Sequence, residues 1–115
     1  MLKAALFSDG TREYRIPEEP ECGENVKIRF RTGAGDVDHV YAVIRDGGNR
    51  NECRRLELEK AETAGRFDFY ERTIQLGETP LIYDFEVVKG DEVCHYNRLG
   101  VSEPGGMDAP FVITP

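Results

Sequence analysis

Between Arg66 and Tyr96 the chain reads RFDFYERTIQL, GETP, LIYDFEVV, KGDE and VCHY, which is three aromatic and β-branched runs separated by two compact turn signals. This order specifies a β-meander. It also excludes the parallel βαβ architectures, whose strands need crossovers of about a dozen residues or more. No segment of this chain sustains the apolar period of about 3.6 residues that a helical crossover requires. An all-β, antiparallel fold is expected.

The rest of the sequence supplies further strands. In VKIRFR, Val26, Ile28 and Phe30 point one way and Lys27, Arg29 and Arg31 the other. His39 to Arg45 repeats the pattern, with Val40, Ala42 and Ile44 opposite Tyr41, Val43 and Arg45. A polar loop, DGGNRNE, leads to a strand carrying Leu56 and Leu58. In the meander Leu81, Tyr83, Phe85 and Val87 share a face opposite Asp84 and Glu86. Phe67 and Phe69 share one parity while Tyr70, Ile74 and Leu76 share the other, which predicts a bulge or an inter-sheet crossover near Phe69 to Glu71. ALF and TREYRIP add edge strands closed by Pro17 and Pro20, and FVITP forms a last short strand or a linker. Seven or eight short strands at this spacing predict an immunoglobulin-like antiparallel β-sandwich, with a barrel of similar strand count as the alternative. The expected core is Ile28, Phe30, Val40, Ile44, Leu81, Tyr83, Phe85 and Val87.

A chain of 115 residues makes one domain. Its 22 acidic against 15 basic residues, a net charge of −7, argue against nucleic acid or an anionic membrane as partner, since both need a basic footprint. The start, MLKAALFSDG, is too short for a signal peptide, and no apolar run is long enough to span a bilayer. Cys22, Cys53 and Cys94 are odd in number and lack C-x-x-C spacing, so neither a disulfide framework nor a zinc knuckle is expected. A reducing cytoplasm is the expected location.

The order of these pieces resembles the N-terminal domain of the neopullulanase, cyclomaltodextrinase and maltogenic amylase group, a starch-binding module (family 34) also described as the α-amylase N-terminal Ig-like domain. The resemblance spans nearly the whole chain and rests on AALFS, on IRFRT followed by DVDHV, and on the series FDFYE, YDFEV and GDE. It implies a sandwich that precedes a catalytic (β/α)8 barrel acting on α-glucans. Such a barrel needs roughly 250 residues, and α-glycoside cleavage needs two carboxyl groups held across the bond. This chain resembles the accessory domain without the barrel, so no catalytic residue is assigned and no glycosidase activity is expected from it alone. The resemblance further implies maltooligosaccharide or cyclodextrin as ligand, the parent chain's barrel as neighbour, and a homodimer in which the domain narrows the partner's active site.

Glucan modules stack the C–H face of a pyranose on an exposed aromatic ring and take its hydroxyls with flanking polar groups. Members of the family often carry tryptophan for this purpose, and this chain has none. Tyr41 and Tyr70, both off the apparent core parity, are the candidate platforms, with Arg45, Asp46 and Asn49 as hydroxyl partners. The alternative is that both tyrosines are half-buried sheet residues or interface contacts. Some members of the family bind calcium, for which Asp36, Asp38 and Asp46 are the oxygen donors available. Their D-x-D lacks the glycine and distal glutamate of an EF-hand, and turn chemistry accounts for Asp36, so no metal or other cofactor is assigned. Cys94 and His95 are adjacent, face opposite sides of a strand and cannot act together as nucleophile and base. A rival reading of the same fold is a fibronectin-like interaction module unrelated to carbohydrate.

Overall fold

The computed structural model describes residues 1–46, 49–102 and 109–115, with the side chains of residues 46–53 outside the described set. After a short 3-10 turn at Lys3–Ala5, the described residues form nine strands: β1 (Arg15–Ile16), β2 (Asn25–Gly33), β3 (His39–Asp46), β4 (Asn49–Ala64), β5 (Phe67–Gln75), β6 (Leu81–Lys89), β7 (Glu92–Asn97), β8 (Gly100–Ser102) and β9 (Phe111–Ile113). Neighbours run in the order β1, β2, β5, β4, β3, β6, β7, β8, and β9 pairs with β6. All these pairings are antiparallel.

The long strand β4 turns this path into two layers. Its first part pairs with β3 as far as Leu58 opposite Val40, and from Glu59 onward it pairs with β5. The crossing is marked by a register shift between Lys60 and Glu62, a bulge of the kind that bends a strand and increases its twist. The irregularity expected near Phe69 to Glu71 thus lies on the partner strand. β5 itself keeps unbroken register with β2 from Asn25 opposite Gln75 to Gly33 opposite Phe67.

The hairpins have local causes. Gly65 (φ 62°) joins β4 to β5 and Gly90 (φ 56°) joins β6 to β7, both in the left-handed region that a residue with a Cβ adopts at a cost. The N-terminal segment lies along the edge of β2, where Phe7 bridges to Arg31 and Arg15 and Ile16 pair with Ile28 and Lys27. The expected edge strands there shrink to these few contacts.

Between the layers every residue expected in the core is buried. Phe30 of β2 meets Phe85 of β6 at 4.7 Å and Tyr96 of β7 at 5.3 Å. Tyr83 stacks on Phe111 at 5.2 Å, so the short β9 closes one end of the core. Tyr70 also lies in this core, 5% exposed, which corrects its expected place off the core parity. The reason is visible on the other face of β5. Phe67 and Phe69 point outward and are covered by the guanidinium groups of Arg31 (4.2 Å) and Arg29 (4.7 Å) from β2. Arginine stems thereby shelter apolar rings that would otherwise demand the interior.

Candidate functional site

Tyr41, Val43 and Arg45 alternate along β3, so all three project from the outer face of the second layer. The registers of the flanking strands build a grid around them. Tyr41 lies between Glu57 of β4 and Glu86 of β6, Val43 between Arg55 and Asp84, and Arg45 is opposite Ile82. On the far side of β6, His95 of β7 is opposite Glu86 and Val112 of β9 is opposite Ile82. A tyrosine ring, an apolar floor and charges of both signs share this face.

The arginines on it are held differently. Arg55 donates to Glu86 at 2.6 Å and lies 4.1 Å over the Tyr41 ring. Arg45 reaches Asp84 at 3.4 Å, well beyond the 2.7–2.9 Å typical of charge-assisted bonds. Yet the second pair is the more enclosed, its side chains 13% and 11% exposed. Burial pushes the Asp84 carboxyl above the ordinary carboxylate range, opposed by Arg45 and His95 and assisted by Glu86. Beyond Tyr41, the His39 ring sits 5.9 Å from the tyrosine and its Nδ1 is 2.6 Å from Glu57.

The expected site residues are therefore divided. Tyr41 and Arg45 share one face, Tyr41 half-buried, with Arg55 already lying over its ring. Tyr70 is in the interior, on a different strand, and offers no face for stacking. The side chains of Asp46 and Asn49 lie outside the described residues. Missing from the expectation were Asp84, Glu86, Arg55 and His95. Asp84 and Glu86 were legible only as the non-core side of β6, because nothing local says that β6 lies against β3.

Asp36 and Asp38 are engaged within the fold. Asp36 accepts from the Leu2 amide at 2.7 Å and the Lys89 ammonium at 2.8 Å, and the Lys89 bond is the main cause holding its carboxyl below the usual range. Asp38 accepts from the Gly90 amide at 2.7 Å. Among the described residues no group of three or more His, Cys, Asp or Glu side chains is gathered for a metal. A groove of about 450 Å3 beside the β4 bulge is lined by Glu59, Lys60, Ala61, Glu71, Arg72 and Thr73 and holds no aromatic ring. Cys94 is buried, which raises its thiol pKa, while His95 points to the outer face. No helix among the described residues is long and apolar enough to cross a membrane.

An antiparallel two-layer sandwich, with its polar residues on an outer sheet face, is the architecture of an Ig-like domain. Residues 1–110 match the family described as alpha amylase, N-terminal ig-like domain, and the chain belongs to that family. It is 29% identical to a cyclomaltodextrinase of Thermoanaerobacter pseudethanolicus over 102 residues, which cover 87% of this chain and 17% of that protein. A solved cyclomaltodextrinase superposes with a TM-score of 0.84 over 99% of this chain and 20% of its own, at 20% identity. A cycloalternan-forming enzyme from Listeria monocytogenes, solved in complex with pentasaccharide substrate, superposes with a TM-score of 0.62 over 87% of this chain and 8% of its own, at 14% identity. These likenesses establish the fold. The chain spans 17% and 20% of the length of the two cyclomaltodextrinases it matches, so it resembles one piece of such an enzyme.

Proposed function

We propose that this domain serves a cyclomaltodextrinase-type enzyme by binding α-glucan weakly on the outer face of β3 and β6. The observation that carries this reading is the grouping of Tyr41, Val43 and Arg45 on one sheet face with Asp84 and Glu86 opposite them. A half-buried ring and an apolar floor give a pyranose a surface to lie on, and the flanking charged groups exchange hydrogen bonds with its hydroxyls. Arg45 and Arg55 are each matched by a carboxylate, Asp84 and Glu86, and Glu57 adds a further acid beside His39, so the face has no cationic surplus to favour an anionic sugar over a neutral one. Because Arg55 already occupies part of the Tyr41 ring, the expected affinity is weak, a Kd of roughly 1 mM or about −4 kcal/mol.

Titration of the isotopically labelled chain with β-cyclodextrin tests the reading. Amide shifts centred on Tyr41, Val43 and Arg45 support it, and shifts confined to other regions overturn it. A second reading, contact with another copy in the parent enzyme that narrows the active site, is favoured by the same covered ring, since a tyrosine beneath an arginine suits a protein interface equally well. Deleting residues 1–115 from the parent enzyme and measuring its oligomeric state and its preference for small substrates tests that role.

A further inference from the structure

We propose that Asp84 is itself a sugar-contacting residue, forming with Arg45 an acceptor and donor pair that takes two adjacent hydroxyls of a pyranose lying on β3 and β6. The inference rests on the glucan reading above and adds to it the residue and the chemical group recognised, a vicinal diol.

Asp84 lies on the outer face of a sheet, where a carboxylate ordinarily stands in water, and yet it is only 8% exposed. A carboxylate so enclosed is stabilised by each hydrogen-bond donor that reaches it. The donor described for its side chain, Nη1 of Arg45, is 3.4 Å away, whereas Arg55 and Glu86 on the same face close to 2.6 Å. The Arg45 and Asp84 contact is therefore one that intervening hydroxyls can improve. A guanidinium donates and a carboxylate accepts, so a diol bridging them satisfies both groups at once. Val43 is directly opposite Asp84 in register and buried beside it, giving the ring an apolar floor. Among the described residues, the charged groups around Asp84 are Arg45 on β3, Arg55 on β4, Glu86 on β6 itself and His95 on β7. Donation from sugar hydroxyls favours ionised Asp84. By linkage, sugar lowers its titration midpoint, and affinity falls as pH drops through that midpoint.

The test is a pH titration of the Asp84 side-chain carboxyl carbon, by nuclear magnetic resonance on the labelled chain, with and without β-cyclodextrin. The expected result is a midpoint moved to lower pH by sugar, and affinity that declines several-fold across the same range. This measurement needs no substitution. In parallel, Asp84→Asn should weaken β-cyclodextrin about tenfold, the worth of one charge-assisted bond, and flatten the pH profile while keeping wild-type amide dispersion. An unchanged Asp84 midpoint, or wild-type affinity in Asp84→Asn with Tyr41 still shifting, removes Asp84 from the site and leaves the glucan reading standing. Absence of any shift at high sugar concentration overturns both.

Discussion

Phe30 and Phe85 meet at 4.7 Å across the sandwich, one from each layer and both fully buried. Phe85 also contacts Tyr83 at 5.7 Å and Phe111 at 5.7 Å, so its ring joins β2, β6 and β9. Phe85→Ala should cost about 3–5 kcal/mol, as for large aromatics removed from cores. Urea unfolding measures this, and a loss under about 1 kcal/mol would place the ring outside the packed interface.

Two aspartates should respond to acid in opposite directions. Asp68, 1% exposed, accepts from the Thr63 hydroxyl, from the Gly35 amide at 2.8 Å and from Lys60 at 3.1 Å. These bonds, Thr63 first, hold its carboxyl below the ordinary value. Its stabilisation is present above the unfolded carboxylate pKa of about 3.9 and is lost as pH falls through the lower folded value. Asp84, held above the ordinary value chiefly by burial, has the reverse sign: the ionised form weakens the fold at neutral pH, and that cost disappears as pH falls through its raised pKa. Asp68→Asn should therefore destabilise by on the order of 1–3 kcal/mol at pH 7, and Asp84→Asn should stay within about 1 kcal/mol of the parent. Thermal unfolding from pH 3 to pH 7 checks both, and equal losses in the two variants would refute the contrast.

The two tyrosines should separate stability from binding. Tyr70 sits in the core, so Tyr70→Ala should cost about 3–5 kcal/mol. Tyr41 is half-buried beneath Arg55, an interaction worth about 0.5–1 kcal/mol at an exposed site. Tyr41→Ala should accordingly lose about 1 kcal/mol or less, together with most β-cyclodextrin binding. Retained sugar affinity in Tyr41→Ala would exclude the ring as the platform.

Arg29 fastens the N-terminal segment to the first layer. Its guanidinium covers Phe69, pairs with Glu62 at 2.8 Å and donates to the Glu13 carbonyl at 3.2 Å. Arg29→Ala should cost on the order of 1–2 kcal/mol through lost packing and pairing. Amide exchange should accelerate most between residues 7 and 16. Uniform acceleration across the chain would show that the arginine supports the whole sandwich rather than this segment.

The sequence alone determined the fold class and the inward faces of β2, β3 and β6. Side-chain parity is a property of the extended backbone, and in these strands apolar residues occupy one parity, as in Val26, Ile28 and Phe30 or Tyr83, Phe85 and Val87. β5 carries large rings on both parities, so its local pattern left the choice open. The choice was made by Arg29 and Arg31 on a strand distant in sequence, which cover Phe67 and Phe69 and send Tyr70 inward. Likewise, Tyr41 and Arg45 were legible as one face of one strand, while Asp84, 39 residues from Arg45, joined them only through the pairing of β6 with β3. Strand order depends on which faces bury the most apolar surface together, a sum over the whole chain that no window of sequence contains.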